Sequence, residues 1–92
     1  MISLHGLHIL LVEDNELNME IAEFIVTNEG AVVTKAKNGK EAVDYFENSS
    51  VGTYDAILMD VMMPVMDGLT ASETIRKMGR ADAKTIPIIA MT

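Results

Sequence analysis

The chain has 92 residues, no cysteine, 49% hydrophobic residues and a formal net charge of −7. That length holds one small domain, the lack of cysteine excludes disulfides and thiolate metal sites, and the acidic balance argues against binding a nucleic-acid backbone through this segment. The apolar runs are too short to span a bilayer and the first six residues lack the basic and apolar regions of a secretory signal, so a cytoplasmic setting is expected, free or tethered to a membrane-bound parent.

Residues 1–7 read as a tail or linker end. His8-Ile-Leu-Leu-Val12 is apolar on both faces, as a buried parallel strand requires, and it stops at Glu13-Asp14. Residues 16–29 predict a helix: Leu17, Ile21, Phe24 and Ile25 recur at helical spacing and make one apolar face, Asn15 is placed to cap the start, and Gly30 to end it in the left-handed conformation. Residues 31–36 form a second strand. Asn38-Gly39 opens a second helix over 40–47, with Val43 and Phe46 inward. Residues 55–59 form a third strand, which stops at Asp60. A loop over 61–67 contains Pro64, and Gly68 leads into a third helix ending near Met78, with Ala71, Ile75 and Met78 as its apolar stripe. Residues 79–85 read as a polar connection to a fourth strand over 87–91, which stops at Thr92. A helix in every connection forces parallel pairing with right-handed crossovers, a doubly wound α/β sheet.

Ligands of such sheets sit outside the carboxyl ends of the strands, where the winding reverses. Glu13, Asp14, Asp60 and Thr92 all fall at strand carboxyl ends. Clustered carboxylates oppose each other's ionisation and ask for a cation. Oxygen ligands without histidine or cysteine suit Mg²⁺ or Mn²⁺. Asp14 and Asp60 are the expected direct ligands, Glu13 is expected to act through a water, and a backbone carbonyl just after Asp60, that of Met62, to complete the shell. With the cation bound, Asp60 is a nucleophile towards phosphorus, and the Thr92 hydroxyl is placed to bond a phosphoryl oxygen. A conformational switch is the expected output. Met59, Met62, Met63 and Met66 are expected to pack rather than bind a soft metal. His5 and His8 are not expected to bind metal. Lys35, Lys37 and Lys40 make a small basic patch with the composition of a solvated face.

Three stretches carry a resemblance: Ile9-Leu-Leu-Val-Glu-Asp-Asn15, Tyr54-Asp-Ala-Ile-Leu-Met-Asp-Val-Met-Met-Pro-Val-Met-Asp-Gly68 and Ile86-Pro-Ile-Ile-Ala-Met-Thr92. From about Leu7 to its last residue the chain resembles the receiver domains of two-component signalling. Its Glu13-Asp-Asn-Glu-Leu-Asn18 wording and its lead-in Leu4-His-Gly-Leu-His-Ile-Leu-Leu11 are more similar to receivers attached to hybrid histidine kinases than to stand-alone ones. The resemblance implies a flavodoxin-like sheet, ordered 2-1-3-4 for the strands present, with a fourth helix, fifth strand and fifth helix still to follow, so that residues 8–92 are a receiver incomplete at its C-terminus. It implies Asp60 as phosphoacceptor, Glu13 and Asp14 as organisers of Mg²⁺ and Thr92 as switch hydroxyl. The implied partner is a histidine kinase or phosphotransfer domain. It also implies a lysine at the end of a fifth strand. No lysine here fills that place, so phosphotransfer by the 92 residues alone is expected to be crippled, and their edge strand to invite self-association. Two other functions compete. A binding-only receiver-like module would dock partners without phosphorylation. An aspartyl-phosphate phosphatase would want a second Asp two residues after the nucleophile, where Met62 stands.

Overall fold

The computed structural model describes residues 4–61, 63 and 66–91. Along the chain run β1 (His8–Val12), α1 (Glu16–Asn28), β2 (Val32–Ala36), α2 (Gly39–Glu47), β3 (Ala56–Asp60), α3 (Gly68–Arg76) and β4 (Ile88–Met91). The strands make one parallel sheet in the order β2-β1-β3-β4. Winding therefore reverses between β1 and β3, the two strands that end in acidic residues.

Each helix begins at a side chain that accepts from a backbone N–H three residues on: Asn15 from Asn18 at 2.9 Å, Asn38 from Glu41 at 2.8 Å and Asp67 from Thr70 at 2.7 Å. The Thr70 N–H also holds the Asp67 carboxyl below its usual range. At the far end of α1, the N–H groups of Gly30 and Ala31 return to the Thr27 and Val26 carbonyls, and Gly30 adopts φ 96°, the left-handed turn expected of it. Residues 4–7 lie along the start of β2, with Leu4 and Gly6 donating to the Glu29 and Gly30 carbonyls and Val32 donating to Leu7.

Alternation along the strands divides the core. Leu10, Val12, Ile57 and Met59 meet Phe46 of α2 and Ala71 and Ile75 of α3 on one face. Ile9 packs with Val26 and Ala31 on the other, beside half-buried Val33 and Leu58. Met59 and Met63 are buried in the larger cluster, as packing residues. His8 bonds the Thr34 hydroxyl at 2.7 Å and tilts against the Tyr54 ring.

One sequence expectation is overturned. The apolar stripe Leu17, Ile21, Phe24 and Ile25 of α1 does not face the sheet; these side chains are 65%, 51%, 70% and 57% exposed. Met19 and Val26 are buried instead, with Ala22 half-buried between them. Residues 19, 22 and 26 share a second helical face that is also apolar, so periodicity offers two faces and packing against β1 and β2 selects one.

A second feature escaped the sequence reading. Arg80, in the stretch read as a polar connection, reaches across to α2 and the loop after it. Its guanidinium donates to both Asp82 carboxylate oxygens at 2.6 and 3.0 Å, to the Phe46 carbonyl at 2.6 Å and to the Ser49 carbonyl at 2.8 Å. It also lies 4.3 Å above the Phe46 ring. Asp82 in turn accepts from the Gly52 N–H at 3.0 Å.

Candidate metal and phosphoacceptor site

The register builds the site. Val12 lies opposite Met59 across the β1–β3 ladder, so the next residues, Glu13 and Asp60, leave the sheet side by side. Asp60 is itself paired with Met91 of β4. The Glu13 N–H donates to the Ala36 carbonyl at 3.1 Å, which keeps the chain aligned with β2 one residue past the strand. Asn15 then does two jobs. Its side chain caps α1, while its backbone N–H donates to the Glu13 carboxylate at 3.1 Å and turns that group back over the strand end.

Carboxylate oxygens of Glu13, Asp14 and Asp60 come within 4.8 Å of one another. Glu13 and Asp60 are half-buried and Asp14 is exposed. Burial pushes the Glu13 carboxyl up; the Asn15 N–H opposes this, and the neighbouring Asp60 and Asp14 carboxylates add to the rise. The group is self-repelling, and it offers only hard oxygen donors. The chemistry of the donor set fits a small, hard divalent cation such as Mg²⁺.

Three of the five site residues named from the sequence are thus brought together. Met62 and Thr92 lie outside the described residues. Sequence reasoning missed the cleft beside the cluster, of about 490 Å³, where Glu13 and Asp14 share walls with Glu16, Met19, Glu20, Lys35 and Lys37. Residue type and spacing give the lysines the look of a solvated face, because they do not say which side chains share a cleft once the strands pair.

Comparison with known proteins agrees with this geometry. A family model described as the response regulator receiver domain matches residues 9–92. Hybrid signal transduction histidine kinase I of Dictyostelium discoideum is 40% identical over 86 residues, which are 91% of this chain and 5% of that protein. Two-component system protein A of Emericella nidulans is 46% identical over 86 residues, 92% of this chain and 12% of that protein. The chain thus spans only a small part of each of these two relatives. Among solved structures, the receiver domain of a sensor histidine kinase from Pseudomonas aeruginosa PAO1, described with a magnesium ion coordinated in its active-site cleft, superposes with a TM-score of 0.84 at 41% identity. That match covers 95% of this chain and 67% of the other.

Proposed function

The chain belongs to the response regulator receiver domain family, and from that premise we propose that Asp60 accepts a phosphoryl group from a phosphohistidine on a histidine kinase or phosphotransfer domain. Receivers of this family serve two-component phosphorelays. The observation that carries the assignment to Asp60 is the convergence of Glu13, Asp14 and Asp60 from two adjacent strands at the point where winding reverses.

Glu13, Asp14 and Asp60 would hold Mg²⁺, with the Met62 carbonyl as a further ligand; the ion supplies charge neutralisation for the transferring group. One Asp60 carboxylate oxygen attacks phosphorus, the new O–P bond forms as the N–P bond of the donor breaks, and the electron pair returns to the imidazole nitrogen. The Asn15 N–H, bonded to the Glu13 carboxylate, would steady that group as it holds the ion. The Thr92 hydroxyl then bonds a phosphoryl oxygen and carries the switch. The setting proposed is cytoplasmic, supported by cysteine-free composition.

The test is incubation of the full native polypeptide with acetyl phosphate or a phosphorylated histidine donor, with and without Mg²⁺. A hydroxylamine-labile adduct that needs Mg²⁺ and disappears in Asp60→Asn is the expected result. Phosphate released from many small substrates would indicate a phosphatase instead, and no adduct under any condition would indicate a binding-only module.

For the 92 residues by themselves the reading extends to self-association. β4 is an edge of the sheet, and Ile89 on it is 52% exposed. Sedimentation should show species larger than a monomer at micromolar concentration; a monomer throughout that range overturns the idea.

A further inference from the structure

We propose that Gly39 is a positioning residue for the Asp60 site: its lack of a side chain lets the start of α2 hold the loop that leaves Asp60, an inference that rests on the phosphoacceptor reading. The loop over 61–67 includes Met62, whose carbonyl is the proposed further ligand of Mg²⁺. Its two ends close on each other. The Gly68 N–H donates to the Val61 carbonyl at 3.3 Å, and the Val61 N–H donates to the Met91 carbonyl of β4 at 3.4 Å. A third tie comes from outside the loop: the Gly39 N–H donates to the Met66 carbonyl at 3.1 Å. Gly39 is the buried first residue of α2, so a separate helix fixes one peptide of the loop.

The fit depends on glycine. A Cβ at Gly39 would run into the Met66 carbonyl oxygen, and would lie 3.0 Å from the Met66 carbonyl carbon and 3.0 Å from the Ala71 Cβ. Helix or loop must give way. The helix is the stiffer of the two. At its start the Asn38 side chain accepts from the Glu41 N–H at 2.8 Å, and the Glu41 carboxylate accepts from the Lys37 N–H at 2.9 Å. At its far end Phe46 is fully buried, and Arg80 donates to the Phe46 carbonyl at 2.6 Å. The loop therefore yields, and Met66 shifts. Gly68, two residues on, sits so close to the Asp60 carbonyl that it has no room for a Cβ of its own. Close-packed groups transmit strain, so a shift at Met66 reaches the end of β3. Loss of the contacts that support metal ligands typically costs about 10–100-fold in metal affinity.

The experiments use the full native polypeptide and Mg²⁺ alone, with no phosphoryl donor. By calorimetry, Gly39→Ala is expected to raise the Mg²⁺ Kd about tenfold. Phe46→Leu loosens the core at the other end of the same helix; it should lower the melting temperature and change Kd by less than about twofold. A folded Gly39→Ala with the native Kd overturns the proposal, as does an equal rise in Phe46→Leu, which would mean only a general loss of stability. A second measurement needs no variant. If the open loop releases the Gly39 N–H and the ion together, Mg²⁺ at ten times its Kd slows amide exchange at Gly39 about tenfold. Exchange at Gly52, whose N–H is bonded to Asp82 in the loop before β3, should stay within about twofold. No slowing at Gly39, or equal slowing at both glycines, overturns the proposal even where Gly39→Ala does not fold. Absence of Mg²⁺ binding by the unsubstituted chain overturns it too. Failure of the phosphoacceptor reading shows separately, as Mg²⁺ binding with no Asp60 adduct when a donor is added.

Discussion

An Arg80→Ala variant should lose about 2–4 kcal/mol of folding stability, the scale for breaking a largely buried ion pair from one side. The Arg80 and Asp82 side chains are only 14% and 13% exposed, so water replaces little of what is lost. Truncation strands Asp82, removes donors from the Phe46 and Ser49 carbonyls, and takes a cation from the Phe46 ring. Phe46 is itself fully buried, which ties the loss to the main core. For a domain this size the melting temperature should fall by roughly 10–20 °C, read by calorimetry or circular dichroism. Arg80→Lys keeps the charge but cannot reach Asp82 and both carbonyls with one ammonium, so it should recover only part of the loss.

The pH dependence has a defined sign. The Arg80 guanidinium holds the Asp82 carboxyl below its usual range, with the Gly52 N–H contributing. A lowered folded pKa contributes stability that is present above the unfolded value, about 3.9, and is lost as pH falls through the folded value. The stability gap between the native protein and Arg80→Ala should hold from neutral pH to about 5 and narrow below about 4. A gap that stays constant down to pH 2 would show that the ion pair is not its source.

Gly68→Ala should damage both fold and function. At a helix start, alanine is ordinarily favoured over glycine, by up to about 1 kcal/mol. Here a Cβ would run into the Asp60 carbonyl oxygen, and would lie 2.8 Å from the Val61 Cα and 2.9 Å from the Met59 Cγ. Two of these atoms are backbone at the end of β3, which cannot yield without moving Asp60. Overpacking of this kind costs about 1–3 kcal/mol, so the steric loss outweighs the propensity gain. A displacement of about 1 Å at the reacting group can cost about a hundredfold in rate, so phosphoryl acceptance at Asp60 should fall by at least tenfold. Gly79→Ala is the control: nothing lies within 4 Å of its added Cβ, and its stability should be unchanged or slightly higher. Gly68→Ala with native stability and native acceptance would show that the loop relaxes freely.

How much was legible beforehand depended on the range of the interaction. The Asn15 cap and the Gly30 stop act within three or four residues, so residue type and spacing were enough to see them. The acidic residues were legible as strand ends because β1 and β3 are short apolar runs that stop abruptly at Glu13 and Asp60. The Asn15–Glu13 hydrogen bond is equally local, but its value lies in aiming a carboxylate at a site that only the sheet completes.

The sequence by itself determined the alternation of strand and helix, hence parallel pairing, and the presence of three carboxylates at strand carboxyl ends, because hydrophobic period and capping chemistry are local. Tertiary structure decided the rest. It chose the Met19–Val26 face of α1 over the equally apolar Leu17–Phe24 face, since only contact with the sheet distinguishes them. It bound Arg80 to a carbonyl 34 residues away. It also paired Lys35 with Glu23 and left Lys37 facing the acidic cleft, because a charge acquires its role from the neighbours that folding brings within a few ångströms.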